Sequence, residues 1–343
     1  MDPNENLVAG RYQLLELAGD GGMARVYRAV TRGAAGFSRM VALKRVHDHL
    51  AGSTEFVRMF IEEARISSEL EHANIVQVHD FGFDGNGYYL VMEWVDGLHL
   101  GQYASAFTKR GERVPWRFAA LIGAQVLAAL ASAHERVNAD GVIAPVIHRD
   151  VTPHNVLLSV QGIVKLADFG LARAMDRARM TNPDVVKGKL SYLAPELVQG
   201  KSASPQSDIY AVGIALWESL TGERLYSADT DAERIRKVRE GAVPPIESKR
   251  DDLPDGLVAI VHSALERDPA QRFASAHEME HALLRLMGGN PVNARELGQS
   301  VTEARVSMGL LPRSIRPPPM PDAPANNEES VRTSRAVVVK PIK

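Results

Sequence analysis

Apolar and polar residues alternate along residues 11–17 and again along 40–46, and this period of two predicts two strands. In the second, Ala42, Lys44 and Val46 share a face, which seats a lysine beside small apolar neighbours. The rhythm then changes. Phe56, Phe60, Ile66 and Leu70 recur at helical spacing over residues 54–71, and Glu63 falls in the middle of that stripe. A carboxylate on a buried face needs a cation, and Lys44 is the candidate partner, with Glu62 nearer the stripe's edge as the alternative to Glu63. Residues 88–95 read as a buried strand stopped by Asp96-Gly97. Residues 116–136 form an Ala- and Leu-rich core helix, 163–167 a strand, and 207–217 an apolar helix opened by good N-cap residues. One more helix is predicted over 294–308, before a Pro-rich stretch at 312–324 expected to be extended or disordered.

The stretches between these elements carry the candidate chemistry. His148-Arg149-Asp150-Val151-Thr152-Pro153-His154-Asn155 contains Pro and is therefore a loop, from which Asp150 and Asn155 present two oxygen-bearing side chains. One suits accepting a proton and the other holding a metal ion. The strand at 163–167 ends in Asp168-Phe169-Gly170, with a second carboxylate at its mouth and a glycine that frees the chain to turn. Near the N-terminus, Gly19-Asp20-Gly21-Gly22 stands between two strands, where backbone N–H groups can approach phosphate oxygens. By itself that stretch fits an ordinary hairpin turn equally well.

Bulk properties narrow the class. With 343 residues, 45% hydrophobic and 24% charged, the chain is long enough for one large or two small domains with a core. A formal net charge of -2 gives no electrostatic help to a nucleic-acid or membrane partner. The absence of cysteine excludes disulfides and thiolate metal sites. The most lipid-like stretch, 118–133, includes Gln125 and falls short of the roughly 18 to 20 apolar residues a span needs, so a core helix is expected and no membrane span. The N-terminus is acidic and polar, unlike a signal peptide, and a cytoplasmic protein is expected.

Taken in order, these motifs resemble the protein kinase superfamily, whose catalytic loop reads H-R-D-x-x-x-x-N and whose magnesium loop reads D-F-G. Gly-Gly-Met followed by Val-Tyr is most similar to the bacterial eukaryotic-like (Hanks-type) serine/threonine protein kinases. The resemblance implies an α+β, two-lobed protein kinase fold, with a small antiparallel-sheet N-lobe carrying one key helix and a larger, mainly helical C-lobe. It implies a leader at 1–10, a kinase domain at 11–288 divided into lobes 11–95 and 96–288, and a tail at 289–343. It also implies ATP and Mg2+ as cofactors. Asp150 then orients or deprotonates the substrate hydroxyl, the Lys44–Glu63 pair positions the α- and β-phosphates, and Asn155 and Asp168 hold the metal. The ATP site is implied at Gly19, Gly21, Ala24, Val26, Ala42, Lys44, Met92, Glu93, Val95 and Leu157. There Met92 guards the pocket behind the adenine, and the backbones of Glu93 and Val95 bond its edge.

Several positions depart from or extend the pattern. Ala24 stands where a third Gly is usual, which restricts positive φ and predicts a stiffer loop. Thr152 occupies the place of a lysine two residues after Asp150, and Lys189 the place of a threonine in the activation segment. The two have traded places, so Lys189 is expected to supply the catalytic cation that Thr152 does not. Thr181, the only hydroxyl residue between Leu171 and Lys187, is the expected activating phosphosite, with Arg149 as its charge-assisted partner. By resemblance, Asp208 anchors the catalytic loop and Arg272 pairs with Glu196, all three structural. His134 is expected to pack or cap, and residues 138–145 to carry no chemistry. The implied activity is transfer of the γ-phosphoryl group of Mg-ATP to Ser or Thr of protein substrates, regulated by activation-loop autophosphorylation, with room for a dimer for trans-autophosphorylation. Two alternatives stand beside it. Ala24 and Thr152 motivate a pseudokinase scaffold. A small-molecule phosphotransferase shares the ATP machinery, yet such enzymes usually lack the Ala194-Pro195-Glu196 segment and the helices after it. The tail, with Ser330, Thr333 and Ser334 near Arg332 and Arg335, reads as a plain linker or as a regulatory, autophosphorylated segment.

Overall fold

The computed structural model describes residues 7–138, 140–169, 190–288 and 292–310. Gly170, Thr181 and Lys189 lie outside the described residues, as do residues 312–324 and Ser330, Thr333 and Ser334.

The first lobe is an antiparallel sheet of six strands: β1 (Leu7–Val8), β2 (Tyr12–Asp20), β3 (Ala24–Arg32), β4 (Ser38–Val46), β5 (Val78–Phe83) and β6 (Tyr88–Glu93). Their order is β1-β2-β3-β4-β6-β5. A short helix, α1 (Asp48–Ala51), precedes α2 (Thr54–Ser68). The alternation along β4 has a direct structural consequence. Ala42 and Val46 join a cluster with Phe60 and Ala64 of α2, whereas Val41 and Leu43 join another with Tyr12 and Tyr89 on the opposite face.

Several predicted boundaries move by two to four residues. The first strand continues past residue 17 to Asp20, because β2 and β3 stay paired as far as Asp20 opposite Arg25, and ladder hydrogen bonds outweigh the weak strand preference of glycine. The glycine stretch is therefore a tight turn at the tip of a hairpin, closed by the Gly21 N–H donating to the Ala24 carbonyl at 3.1 Å. The expected helix at 54–71 ends at Ser68, with Glu69 as its C-cap.

The second lobe opens with β7 (Gly97–His99), α3 (Leu100–Lys109) and α4 (Trp116–His134), followed by β8 (Val156–Ser159) and β9 (Val164–Leu166). Strands β7, β8 and β9 make a small antiparallel sheet in that order. Gly97 is required there, since a Cβ would stand 1.8 Å from the Leu158 carbonyl oxygen. Among the described residues the α-helices that follow are α5 (Pro195–Val198), α6 (Pro205–Thr221), α7 (Asp231–Glu240), α8 (Asp255–Ala264), α9 (Ala276–Met287) and α10 (Ala294–Ser307). Helix α4 is long and apolar enough to cross a membrane by length and composition, yet it lies inside the core, packed on α6 and α9. Helix α6 is buried along its whole described length beyond the first turn. It starts with a Ser204–Ser207 capping box and Pro205, and it stops at Gly222 in the left-handed region. An isolated antiparallel bridge pairs Val137 with Ile143.

Two polar tethers hold the architecture together, the half-buried Asn74 and the buried Glu196–Arg272 pair. Asn74 donates from Nδ2 to the Val164 carbonyl at 2.8 Å, and its backbone carbonyl accepts from the Leu166 N–H at 2.8 Å, which joins the α2–β5 connection to β9. Glu196 of α5 and Arg272 form a bidentate pair at 2.8 Å on both arms, and the remaining guanidinium hydrogens reach backbone carbonyls of Gln206, Glu266 and Arg267.

Candidate active site

Between the two sheets lies a cavity of about 570 Å³, the size of a small-molecule or nucleotide site. All ten residues assigned to ATP from the sequence border it, from Gly19 at the hairpin to Leu157 on β8, together with Asn155 and Asp168. Ala24 does so without a positive φ, so the stiffening expected from its methyl group is not engaged by this backbone.

Lys44 projects from β4 into this cavity. Its Nζ lies 2.8 Å from Glu63 Oε1 and 2.8 Å from Asp168 Oδ1. Glu63 is 1% exposed, and Glu62 faces solvent, which settles the choice between them. Burial works against the lysine charge, but the carboxylates of Asp168 and Glu63 outweigh it and hold the ammonium pKa above its ordinary value. Lys44 is thus a fixed cation throughout the physiological range.

The loop that carries Asp150 and Asn155 is held from beneath. Asp208, at the start of α6, accepts from the Arg149 N–H through Oδ1 and from the His148 N–H through Oδ2, both at 2.8 Å. His134, the last residue of α4, adds a third bond to Oδ2 at 2.9 Å. These bonds hold Arg149 at φ 65, a left-handed conformation that costs a non-glycine residue roughly 1–3 kcal/mol. Asp168 is held likewise at φ 64. Behind it Phe169 is buried, edge-on to the His148 ring at 4.5 Å, and its carbonyl accepts from Ser67 of α2. Asp150 is buried beside Asn155, whose Nδ2 donates to the Asp150 carbonyl at 2.8 Å and to its carboxylate at 3.0 Å. The side-chain amide of Asn155 is therefore oriented by Asp150, and its carbonyl oxygen is the atom that could serve a ligand.

Among the described residues no group of three or more His, Asp or Glu side chains makes a metal cage. Of the oxygen donors that border the cavity, the Asp168 carboxylate and the Asn155 amide oxygen would together suit Mg2+, a hard cation usually held by one or two protein oxygens plus phosphates and water.

Several site residues escaped the sequence reading. His99 caps α3: its Nδ1 accepts from the Gln102 N–H at 3.2 Å while Gln102 returns a bond to the His99 N–H. The ring also bonds the Pro153 carbonyl of the catalytic loop and lies 4.7 Å from the His154 ring. Burial, then the neighbouring His154, pushes the His99 pKa down from 6.5 to about 4. The folded protein consequently refuses a proton that the unfolded chain accepts between these two values. Stability is fully present above pH 6.5 and is lost as pH falls toward 4. His99→Asn, which keeps a capping side chain, should flatten that loss. Thermal melts of both proteins from pH 7.5 to 4.5 test it, and a wild-type-minus-variant difference constant over that interval would contradict it. Arg305 and Leu310 also border the cavity, although both lie far along the chain in and after α10.

A two-lobed fold with a nucleotide-sized cleft, a doubly paired lysine and an Asp–Asn loop defines a class of phosphotransferase architecture. The sequence profile described as the protein kinase domain matches residues 12–284. Tyrosine-protein kinase MasK of Myxococcus xanthus is 37% identical over 274 residues, covering 80% of this chain and 42% of that protein. Serine/threonine-protein kinase PrkC of Bacillus subtilis is 36% identical, covering 80% and 40%, and PknL of Mycobacterium tuberculosis 36%, covering 81% and 66%. The chain spans about two fifths of the length of MasK and PrkC. Among solved structures, the PknI kinase domain of Mycobacterium tuberculosis superimposes with a TM-score of 0.60 at 28% identity, over 81% of this chain and 96% of that one. The chain belongs to the protein kinase domain family and has its two-lobed fold.

Proposed function

We propose that this chain is an active serine/threonine protein kinase that transfers the γ-phosphoryl group of Mg-ATP to protein hydroxyls. The observation that carries the reading is Lys44 held at 2.8 Å from both Glu63 and Asp168, on the wall of the cavity. This arrangement presents a permanent cation to the α- and β-phosphates without any rearrangement of the lobe. Asp150 orients the acceptor hydroxyl and takes its proton, and Asn155 keeps that carboxylate in place. Asn155 and Asp168 are the residues that would hold Mg2+, which supplies charge neutralisation across the phosphates when bound. No protein nucleophile is needed.

The kinase unit in this reading is 11–288, with 96 opening the second lobe and a tail from 289 onward. Its partners are Ser- or Thr-bearing proteins, with a dimer serving trans-autophosphorylation, and its setting is cytoplasmic. Lys189 supplies the cation that Thr152 does not, and phosphate on Thr181 orders the activation segment through Arg149. A pseudokinase scaffold is disfavoured because the lysine pair, the Asp–Asn loop and Asp168 are all intact. A tyrosine specificity is the second reading, favoured by the similarity to MasK, a tyrosine-protein kinase.

The test is to map acceptor residues by mass spectrometry after incubation with Mg-ATP, for the wild type and Lys189→Met. Phosphoserine and phosphothreonine including Thr181 are expected, with Lys189→Met reducing turnover by about 100-fold or more, as for loss of one preorganised transition-state charge. Phosphotyrosine alone, or a fully active Lys189→Met, would contradict the assignment.

A further inference from the structure

Helix α10 lies beyond the residues matched by the kinase profile. Leu297, Val301 and Ala304 recur on one face at helical spacing and are fully buried in the second lobe's core. Its backbone is seated directly on the β8–β9 turn. A Cβ on Gly298 would stand 2.4 Å from the Val160 carbonyl oxygen, and one on Gly162, itself at φ +79, 1.7 Å from the Ala294 carbonyl oxygen. Tyr103 of α3 and Ser300 share a buried hydrogen bond of 2.8 Å. The helix therefore has one defined seat, fixed along its length by close backbone approach.

Its far end reaches the cavity. Arg305 Nη1 lies 3.0 Å from Asp96 Oδ1, and the two side chains are 6% and 12% exposed. Asp96 directly follows Val95, and its carbonyl accepts from the Val160 N–H at 2.9 Å. The end of the inter-lobe connection is thus held by its backbone from the β8–β9 turn and by its side chain from α10. After the helix, the Leu310 N–H donates back to the Arg305 carbonyl at 3.0 Å, and both residues border the cavity beside Gly97 and Leu98. A carboxylate this buried is costly without its cation, so removing Arg305 drives Asp96 toward solvent and shifts the backbone at 95–97.

We infer that Arg305 is a positioning residue for nucleotide binding: its ion pair with Asp96 sets the hinge end of the cavity, and the turn ending at Leu310 completes the cavity wall. The inference rests on the kinase reading of this cavity. It makes α10 part of the nucleotide site. The phosphate end, built from Lys44, Asn155 and Asp168, is untouched by this element.

The experiment uses the full chain as wild type, Arg305→Leu, Arg305→Lys and Leu310→Ala, with binding of Mg-ATP and of adenosine measured by titration, initial rates over a range of ATP, and thermal melts. Arg305→Leu should weaken both ligands alike and raise KM for ATP by about tenfold with kcat within about twofold, the pattern of lost ground-state binding. Arg305→Lys should recover most of that loss. Leu310→Ala, a rim residue outside the core helices, should weaken both ligands by about threefold even if Arg305→Leu proves too unstable to purify. Unchanged affinities in folded Arg305→Leu and Leu310→Ala, or a fall in kcat at constant KM, would overturn the inference while leaving the kinase reading standing. A wild type that binds neither Mg-ATP nor adenosine would overturn both.

Discussion

Asp150→Asn should lower kcat for phosphoryl transfer by about 10³-fold, within the range expected for loss of a general base, and leave Mg-ATP affinity within about twofold. The geometry separates the two effects. Asp150 is buried beside Asn155 but does not border the cavity between the sheets, whereas Lys44 and Asp168 do. Asparagine has nearly the same shape, so the loop keeps its Asp208 anchor and only the proton acceptor is removed. Initial rates on a generic basic protein, beside a nucleotide titration, give both numbers. A large loss of nucleotide affinity with kcat preserved would show that Asp150 holds phosphate and not the acceptor hydroxyl.

The second large effect is on stability. Asp208 is 1% exposed and accepts three hydrogen bonds, from the backbone of His148 and Arg149 and from the His134 ring. Asp208→Ala leaves those donors buried without an acceptor, beneath a residue already held at positive φ. Each stranded donor costs roughly 1–3 kcal/mol, and part of that is recovered by water entering the gap, so a net loss of about 3–5 kcal/mol is expected. Chemical denaturation reads the loss, and kcat should fall with it because the catalytic loop is released. A loss below about 1 kcal/mol would mean that the loop is held by its own sequence.

How much of this was legible in the chain differs from residue to residue. Glu63 was readable as the partner of Lys44 because a carboxylate inside an apolar helical stripe has few other fates. The segment around Asp150 and Asn155 was readable because proline excludes a helix there and both side chains issue from one loop. Element ends were less legible. The β2 ladder runs on through Gly19 because its pairing with β3, a tertiary fact, outweighs the local preference. His134 was placed as a packing or capping residue, but its bond to Asp208 spans 74 positions and no local pattern encodes it. His99 looked unremarkable because histidine is an uncommon helix cap, although Gln102 three residues on was the signal that could have exposed it. Arg305 was hidden for a similar reason. The amphipathic pattern at 294–308 announces a helix and its buried face, but not that its last turn meets Asp96 at a separation of 209 residues.

The most direct test of the central claim is transfer of γ-labelled phosphate from Mg-ATP to the purified chain and to a generic basic protein, with Asp150→Asn run alongside. The account predicts label on serine or threonine of either protein, reduced to background in the variant. Nucleotide binding without any transfer, or transfer only to a small-molecule acceptor, would contradict it.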